Sequence, residues 1–369
     1  MKQDLIDRQT EVKKTLYLEV MRIIATFFVI FNHTGNTGFF LFSQRPEGGL
    51  LFWIYLFISV FCKFSVPLFF AISGALMLNR EDEPLKVLWK KRIFRIIVII
   101  LVFSFVYYVN SVYMDSGTIE IKSFLQKLYS DNLRAHLWYL YAYIAYLICL
   151  PFLRSLVRHL DKKYYYYMIG IALFFNAILP IIEYLLWKGD LTINGYIRAT
   201  WLITSIVLYP CIGYFLQHQV DINSIKNIIP FLWLLNIVGI MVSCYMTYFK
   251  GQITGGFVES ESQMFHNSFV LLNCISIFIS IKYIFEHISV RNWLEKLIYS
   301  IGSCTFGIYL LHLIIIDRKF MGDLLTAMTN AGINYMIAVF IQCLCVMAVG
   351  YVITLILRRI PIVKKLVGG

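Results

Sequence analysis

An acidic, a basic and an imidazole side chain share one apolar stretch near the start of the sequence: Glu19, Arg22 and His33, within YLEVMRIIATFFVIFNHTG from Tyr17 to Gly35. In a helix advancing about 100° and 1.5 Å per residue, Arg22 and His33 lie three turns apart, within about 20° of azimuth and about 16 Å along the axis. Glu19, Arg22, Thr26, Val29 and His33 therefore share a face. Ionisable groups inside lipid face a bundle interior or a wet cavity, and their default meaning is a functional site. Glu19 and Arg22, three residues apart, can pair within the helix, so that neither is a lone buried charge.

Three further constellations carry chemistry. Lys90 to Arg95 (KKRIFR) opens a later apolar span, with Arg92 and Arg95 on one helical face. Arginine forks suit bidentate phosphate binding, and they suit anionic headgroups and topology anchoring as well. Spacing alone favours the anchor, and Arg95, the deeper residue, is the better phosphate candidate. At the outer mouth of the fourth span, His136-Leu-Trp-Tyr-Leu140 offers either interfacial belt residues or, through Trp138 and Tyr139, rings that can bind a sugar. The third constellation is Gly302-Ser-Cys-Thr-Phe-Gly-Ile-Tyr-Leu-Leu-His312, where Gly302, Thr305, Tyr309 and His312 form a polar stripe at three- and four-residue steps. Such residues commonly bond neighbouring helices. Depth argues for more: His312 lies about 16 Å above the start of its span and His33 about 24 Å above Tyr17. Both fall in the middle to outer half of a membrane, near the level of His136 and Trp138, with the arginines below.

Composition dictates the elements that hold these residues. Of 369 residues, 59% are hydrophobic and 15% charged, and mean hydropathy is +0.71, which excludes an ordinary soluble domain and implies a polytopic membrane protein. Windows of about twenty apolar residues predict an all-α transmembrane bundle of about ten helices, near 17–37, 50–78, 88–111, 136–157, 164–187, 199–218, 227–249, 266–286, 301–317 and 335–357. An even number of spans puts both termini on one side. The segments on that side hold 22 of the 33 Lys and Arg, against nine opposite, so both termini are expected in the cytoplasm. This alternation gives the basic total a topological meaning and no nucleic-acid partner is expected. Residues 1–16 read as a cytoplasmic segment without a cleavable signal, 17–357 as one transmembrane domain, and 358–369 as a basic cytoplasmic tail.

Pro67 removes the hydrogen bond that Lys63 would accept, so the second span is expected to kink or break there, with Lys63 lining the opening. Ser73 and Gly74 in FFAISGA suit close helix packing. Ile119 to Ser130 reads as an amphipathic segment on the outer surface, and Tyr164 to Tyr167 as an interfacial anchor. The outer loop Gly251 to His266, with Glu259 and Glu261, fits either a cover for an acceptor site or a solvated loop. Eight cysteines fall almost wholly inside apolar spans with no CxxC pair, and read as small buried hydrophobes without a metal.

These residues resemble, over essentially the whole chain, the integral-membrane acyltransferase 3 family, which includes O-acetyltransferases of bacterial surface polysaccharides, lipopolysaccharide and peptidoglycan. The most specific part is Arg22, ten intervening residues, then His33, preceded by acidic Glu19; Arg92-x-x-Arg95 is the second, and FFAISG, HLWYL and TFGIYLLH follow in the expected order. Glu19 stands where aspartate is usual, and no appended esterase-like domain is expected. The resemblance implies a protein of the bacterial cytoplasmic membrane that takes acyl-CoA, most simply acetyl-CoA, from the cytoplasm as co-substrate. No permanently bound cofactor is implied. Arg92 and Arg95 would hold the CoA phosphates, and the acyl group would pass to a hydroxyl of an envelope glycan or related small acceptor on the outer side. The chemistry then assigns roles: a hydroxyl attacking a thioester needs proton removal, and an imidazole at His33 is the general base. Arg22 pairs with Glu19 or contacts the donor, Trp138 and Tyr139 meet the acceptor, and His312 and Tyr309 orient it or donate to the developing oxyanion. An acyl-histidine intermediate is the alternative route.

The rival class is a transporter or exporter of a polysaccharide or its precursor, using the same buried groups as a path. Inverted repeats and paired broken helices would mark it, and the two halves show no convincing repeat. A purely structural or sensing bundle would leave the ordered polar set without a purpose.

Overall fold

The computed structural model describes residues 2–114, 118–130, 134–257 and 262–368, and among them the chain is helical without strands. It opens with α1 (Lys2–Asn32) and continues through α2 (Leu50–Phe61), α3 (Ser65–Met77), α4 (Leu85–Met114), α5 (Ile121–Ser130), α6 (Trp138–His159), α7 (Lys162–Trp187) and α8 (Ser205–Tyr214). Then follow α9 (Ile229–Thr254), α10 (Val270–His287), α11 (Asn292–Ile316), α12 (Lys319–Asn330), α13 (Tyr335–Leu357) and α14 (Pro361–Val367). Among the described residues, eight helical segments are long and apolar enough to cross a membrane, counting the broken pair α2 and α3 as one. The protein is a polytopic membrane bundle. Glu259 and Glu261 of the outer loop, read as either a cover or a solvated segment, lie outside the described residues.

Each of the ten apolar stretches carries helix, with instructive differences at their ends. The first begins at Lys2 and stops at Asn32 rather than near residue 37, so His33 stands in the turn that closes α1. Its amide donates to Ile30 O at 3.0 Å and that of Thr34 to Phe31 O at 3.1 Å, tightening the last turn as unsatisfied carbonyls require. Gly35 then takes φ +55°, a left-handed conformation suited to glycine after a helix end. The stretch near 199–218 is interrupted at Thr204, where the backbone is extended before α8 begins. Helix α12 falls where sequence reading leaves a connection: it is amphipathic, burying Met321 and Leu325, and Gln342 of α13 donates to Met321 O at 2.9 Å. The segment read as a basic tail contains α14, whose Val367 is fully buried.

Helix α1 is the centre of the bundle, packed against α3, α10, α11 and α13. Met21, Ala25, Ile30 and Phe31 on it are fully buried. Two hydrophobic clusters meet on it: one gathers α3, α4, α6, α8, α10 and α11, the other α2, α9, α12 and α13. The approach of α3 to α8 depends on a missing side chain on each. A Cβ at Gly74 would stand 2.0 Å from Pro210 O, and one at Gly213 would stand 1.9 Å from Ala71 O. In lipid, helices associate through such close backbone packing because apolar burial gives little gain between them.

The break between α2 and α3 falls where Pro67 predicts it. Cys62–Phe64 tightens into a single 3-10 turn. Asparagines from other helices bond carbonyls around it: Asn273 Nδ2 donates to Phe61 O at 2.7 Å, and Asn32 Nδ2 lies 3.4 Å from Cys62 O. Irregular backbone at membrane depth survives only with such partners or beside a cavity, and here both conditions hold.

Candidate active site

The polar stripe of α1 runs between two cavities that have no lining residue in common. The first, about 420 Å³, is lined by Glu19 and Arg22 of α1, Ser73 of α3, Arg92 and Arg95 of α4, Tyr139 of α6, and Gly302, Thr305 and Tyr309 of α11. The second, about 570 Å³, is lined by His33, Asn32, Lys63, Trp138, Asn176, Ser205, Tyr209 and Asn267 among others.

In the first cavity Arg22 Nη1 donates to Glu19 Oε1 at 2.6 Å, the intrahelical pair that three-residue spacing predicts. Glu19 Oε2 is buried without a hydrogen-bond partner. It lies against α11 at Gly302, where a Cβ would come within 2.2 Å of it. The polar stripe of α11 thus begins with a glycine because the carboxylate of α1 occupies the space. Arg22 keeps donors beyond those used by Glu19, since a guanidinium offers five.

The arginines of α4 are more engaged than sequence spacing suggests. The helix widens into a π turn over Leu88–Ile93, a distortion found most often at functional sites. Arg92 Nε pairs with Glu83 at 2.7 Å, and the same carboxylate lies 3.6 Å from the buried Arg154, which also donates to Met77 O at 3.1 Å. Arg95 Nε donates to Lys365 O at 2.8 Å and its Nη2 to Gly368 O, so the end of α14 is fastened across it. Both guanidiniums still line the cavity. Sequence reading missed Glu83 and Arg154; an arginine among the apolar residues near the end of the fourth span is the signal that was there.

Between the cavities stand three imidazoles. Ring centroids lie 5.0 Å apart for His33 and His312, 5.1 Å for His136 and His312, and 6.2 Å for His33 and His136. His33 Nδ1 is 2.7 Å from Val29 O, and His312 Nδ1 is 2.6 Å from Tyr309 O. A carbonyl only accepts, so in both rings Nδ1 carries the proton. His312 Nε2 therefore presents a lone pair to His33 Nδ1, 3.3 Å away, as that N–H's second acceptor. This leaves His33 Nε2 with a lone pair and no protein partner among the described residues, on a ring that lines the second cavity. His312 is completely buried, is in neither lining, and bonds Tyr309 of the first cavity and His33 of the second.

Tyr309 and Tyr107 brace this wall. Tyr309 Oη donates to His136 O at 2.5 Å and Tyr107 Oη to Leu310 O at 2.9 Å. The Tyr309 hydroxyl is thereby committed to main chain, and its ring faces the first cavity. Trp138 and Tyr139, neighbours in sequence, serve different cavities, Trp138 the second and Tyr139 the first. His136, read as a belt residue, is 1% exposed with both ring nitrogens unbonded, and no spacing rule links it to His33 across more than a hundred residues.

A family profile described as an acyltransferase domain matches residues 15–358. The chain belongs to the integral-membrane acyltransferase 3 family. No curated protein and no solved structure matches it. The acyltransferase match begins just before Glu19 and ends at Arg358, so it takes in the histidine cluster, the second cavity and all of the first cavity's lining except Gly368.

Proposed function

We propose that this acyltransferase moves an acetyl group from cytosolic acetyl-CoA to a hydroxyl of a bacterial cell-envelope glycan, with His33 as general base. The observation that carries the proposal is the unpartnered His33 Nε2 beside one cavity while arginines line the other. Loop charges orient the first cavity to the cytoplasm, together with both termini. Arg22, Arg92 and Arg95 hold the phosphates of the donor there. Its pantetheine arm rises along α1, covering the three turns, about 16 Å, that separate Arg22 from His33.

The acceptor hydroxyl attacks the thioester carbonyl, its proton passing to His33 Nε2 as the C–O bond forms. The C–S bond then breaks, and the imidazolium returns the proton to the departing thiolate as CoA. His33 Nδ1–H bonds Val29 O and His312 Nε2 throughout, which fixes the tautomer and stabilises the positive charge during the step. His312 is a positioning residue in this scheme. Tyr139 and Tyr309 wall the donor path, and Trp138 offers a ring for a sugar face.

The test is transfer of labelled acetyl from acetyl-CoA to the envelope-glycan fraction in membranes carrying wild type or His33→Ala. Label with wild type and none with the variant is expected. Full transfer by a folded His33→Ala protein overturns the base assignment, and transport of a glycan across sealed vesicles without CoA release would replace the enzyme by an exporter.

A further inference from the structure

We propose that the second cavity selects an anionic acceptor, a glycan bearing a carboxylate or phosphodiester, and that Lys63 binds that charge. The inference rests on the acyl-transfer reading and deepens it by naming the acceptor's chemical class.

Lys63 stands in the 3-10 turn that joins α2 to α3, at the break caused by Pro67. It lines the same cavity as His33. Its ammonium lies 4.4 Å from the centroid of the Phe39 ring, a contact that a cation can make without a counter-ion. Among the described residues no acidic side chain lines this cavity, and no ion pair engages Lys63. Two buried cations of this bundle are handled differently, whereas Lys250, like Lys63, stands over an aromatic ring, that of Tyr184 at 5.4 Å: Arg154 is joined to Glu83, and Lys282 donates to the carbonyls of Leu216 and Gln217. A cation kept at membrane depth without such partners is costly unless something else meets it.

The rest of the lining is suited to a hydroxylated ligand. Asn176, Ser205, Tyr209 and Asn267 form no protein hydrogen bonds through their side chains among the described residues and are not sealed from solvent. Trp138, 42% exposed, supplies the apolar platform. Amides and hydroxyls recognise a sugar of either charge, and only Lys63 discriminates between an acidic glycan and its neutral counterpart. A phosphodiester and a carboxylate both accept hydrogen bonds from an ammonium, so separate probes distinguish them.

The experiment uses full-length protein in nanodiscs with three probes: an oligogalacturonide, the same oligomer with its carboxyls reduced to alcohols, and an oligomer of glucose joined by glycerol phosphate. Binding is measured calorimetrically and acetyl transfer from acetyl-CoA in parallel. One or both anionic probes should bind at least tenfold more tightly than the reduced oligomer, and whichever does identifies the anion. Lys63→Met should collapse that ratio at least tenfold while Lys63→Arg largely keeps it. Equal binding of charged and neutral oligomers, no binding of any, or a ratio untouched by Lys63→Met overturns the inference. A rise of that ratio of tenfold or more in Glu259→Gln or Glu261→Gln would give Lys63 a partner within the chain and overturn it too. If the binding preference holds and no probe is acetylated, the charge selection stands and the acyl-transfer reading fails.

Discussion

Gly302→Ala tests how the stripe of α11 and the stripe of α1 depend on each other. The added methyl carbon would stand 2.2 Å from Glu19 Oε2 and 2.9 Å from Glu19 Cβ, where real contacts do not go below 3.0 Å. The carboxylate can rotate away from the first clash, but Cβ is fixed to the backbone and cannot escape the second. Glu19 must therefore leave its 2.6 Å pairing with Arg22, or α1 and α11 must move apart by some tenths of an ångström. Overpacking of this kind costs about 1–3 kcal/mol, while replacing a helix-interior glycine by alanine returns up to about 1 kcal/mol. Stability should fall by about 0–3 kcal/mol, leaving a folded protein. Donor binding should suffer more, because Arg22 loses the partner that aims it into the first cavity: KM for acetyl-CoA is expected to rise about tenfold, the equivalent of about 1.4 kcal/mol. The assay is CoA release against acetyl-CoA concentration, paired with thermal unfolding in detergent. Gly170→Ala is the control, since nothing lies within 4 Å of a Cβ there. Glu19→Ala combined with Gly302→Ala should cost less than the sum of the two single changes. Wild-type kinetics in Gly302→Ala, or strict additivity in the double variant, would refute the reasoning.

Four other outcomes follow from the same geometry. His312→Ala should lower kcat about 10- to 100-fold, less than the roughly 10⁴-fold known when a catalytic histidine is left in the wrong tautomer, because Val29 O still holds the His33 proton; His312→Gln, able to span the same two partners, should recover part of the loss in single-turnover measurements. Gly74→Ala places a methyl 2.0 Å from Pro210 O and should reduce stability by about 1–3 kcal/mol, read as a lower Tm and a smaller monodisperse fraction. Arg95→Ala should raise KM for acetyl-CoA and loosen α14, detected as faster proteolysis after Leu357, whereas Trp138→Ala should leave donor KM in place. Asp82, in the loop between α3 and α4, is bonded through both oxygens by Arg158 at 2.6 and 3.1 Å, which holds its carboxyl below the usual carboxylate range. That depressed value means the pair stabilises the fold above the unfolded pKa, about 4, and the contribution is lost as pH falls through the lower folded value; the Tm gap between wild type and Asp82→Asn should therefore close on acidification.

The parts of this protein legible in its sequence are those set by short-range rules. Twenty-residue apolarity placed helix in every stretch where it was expected, and the 3.6-residue period put Glu19, Arg22, Thr26 and His33 on one face, as the Glu19–Arg22 pair and the Val29–His33 bond bear out. Pro67 located the break in the second span for a reason internal to four residues. What escaped was governed by partners far along the chain. The use of Tyr309's hydroxyl by His136 O joins residues 173 positions apart, and Arg95 is covered by a segment 270 positions later. Helix α12 escaped for another reason: its amphipathic pattern is too polar for a span and too short to stand out, so only packing against α13 reveals it. The end of α1 was misjudged because apolar residues continue beyond Asn32, while the decisive event is a single left-handed glycine at Gly35.

The wall between the cavities bears on the choice between transferase and exporter. A transporter must open each side of its site in turn, which demands helices that rock or unwind about the substrate. Here the barrier is made of rings from α4, α6 and α11, with the Tyr107 and Tyr309 hydroxyls tied to main-chain carbonyls on neighbouring elements and His312 buried among them. Moving the Tyr107, Tyr309 or His312 ring breaks a buried hydrogen bond, at about 1–3 kcal/mol for each group left unpaired. His33, at the edge of the same wall, instead has a nitrogen available toward the second cavity with no rearrangement. Such a barrier opposes passage of a whole glycan, whereas acyl transfer asks only that the slender pantetheine arm reach His33 along α1 while the rings stay in place.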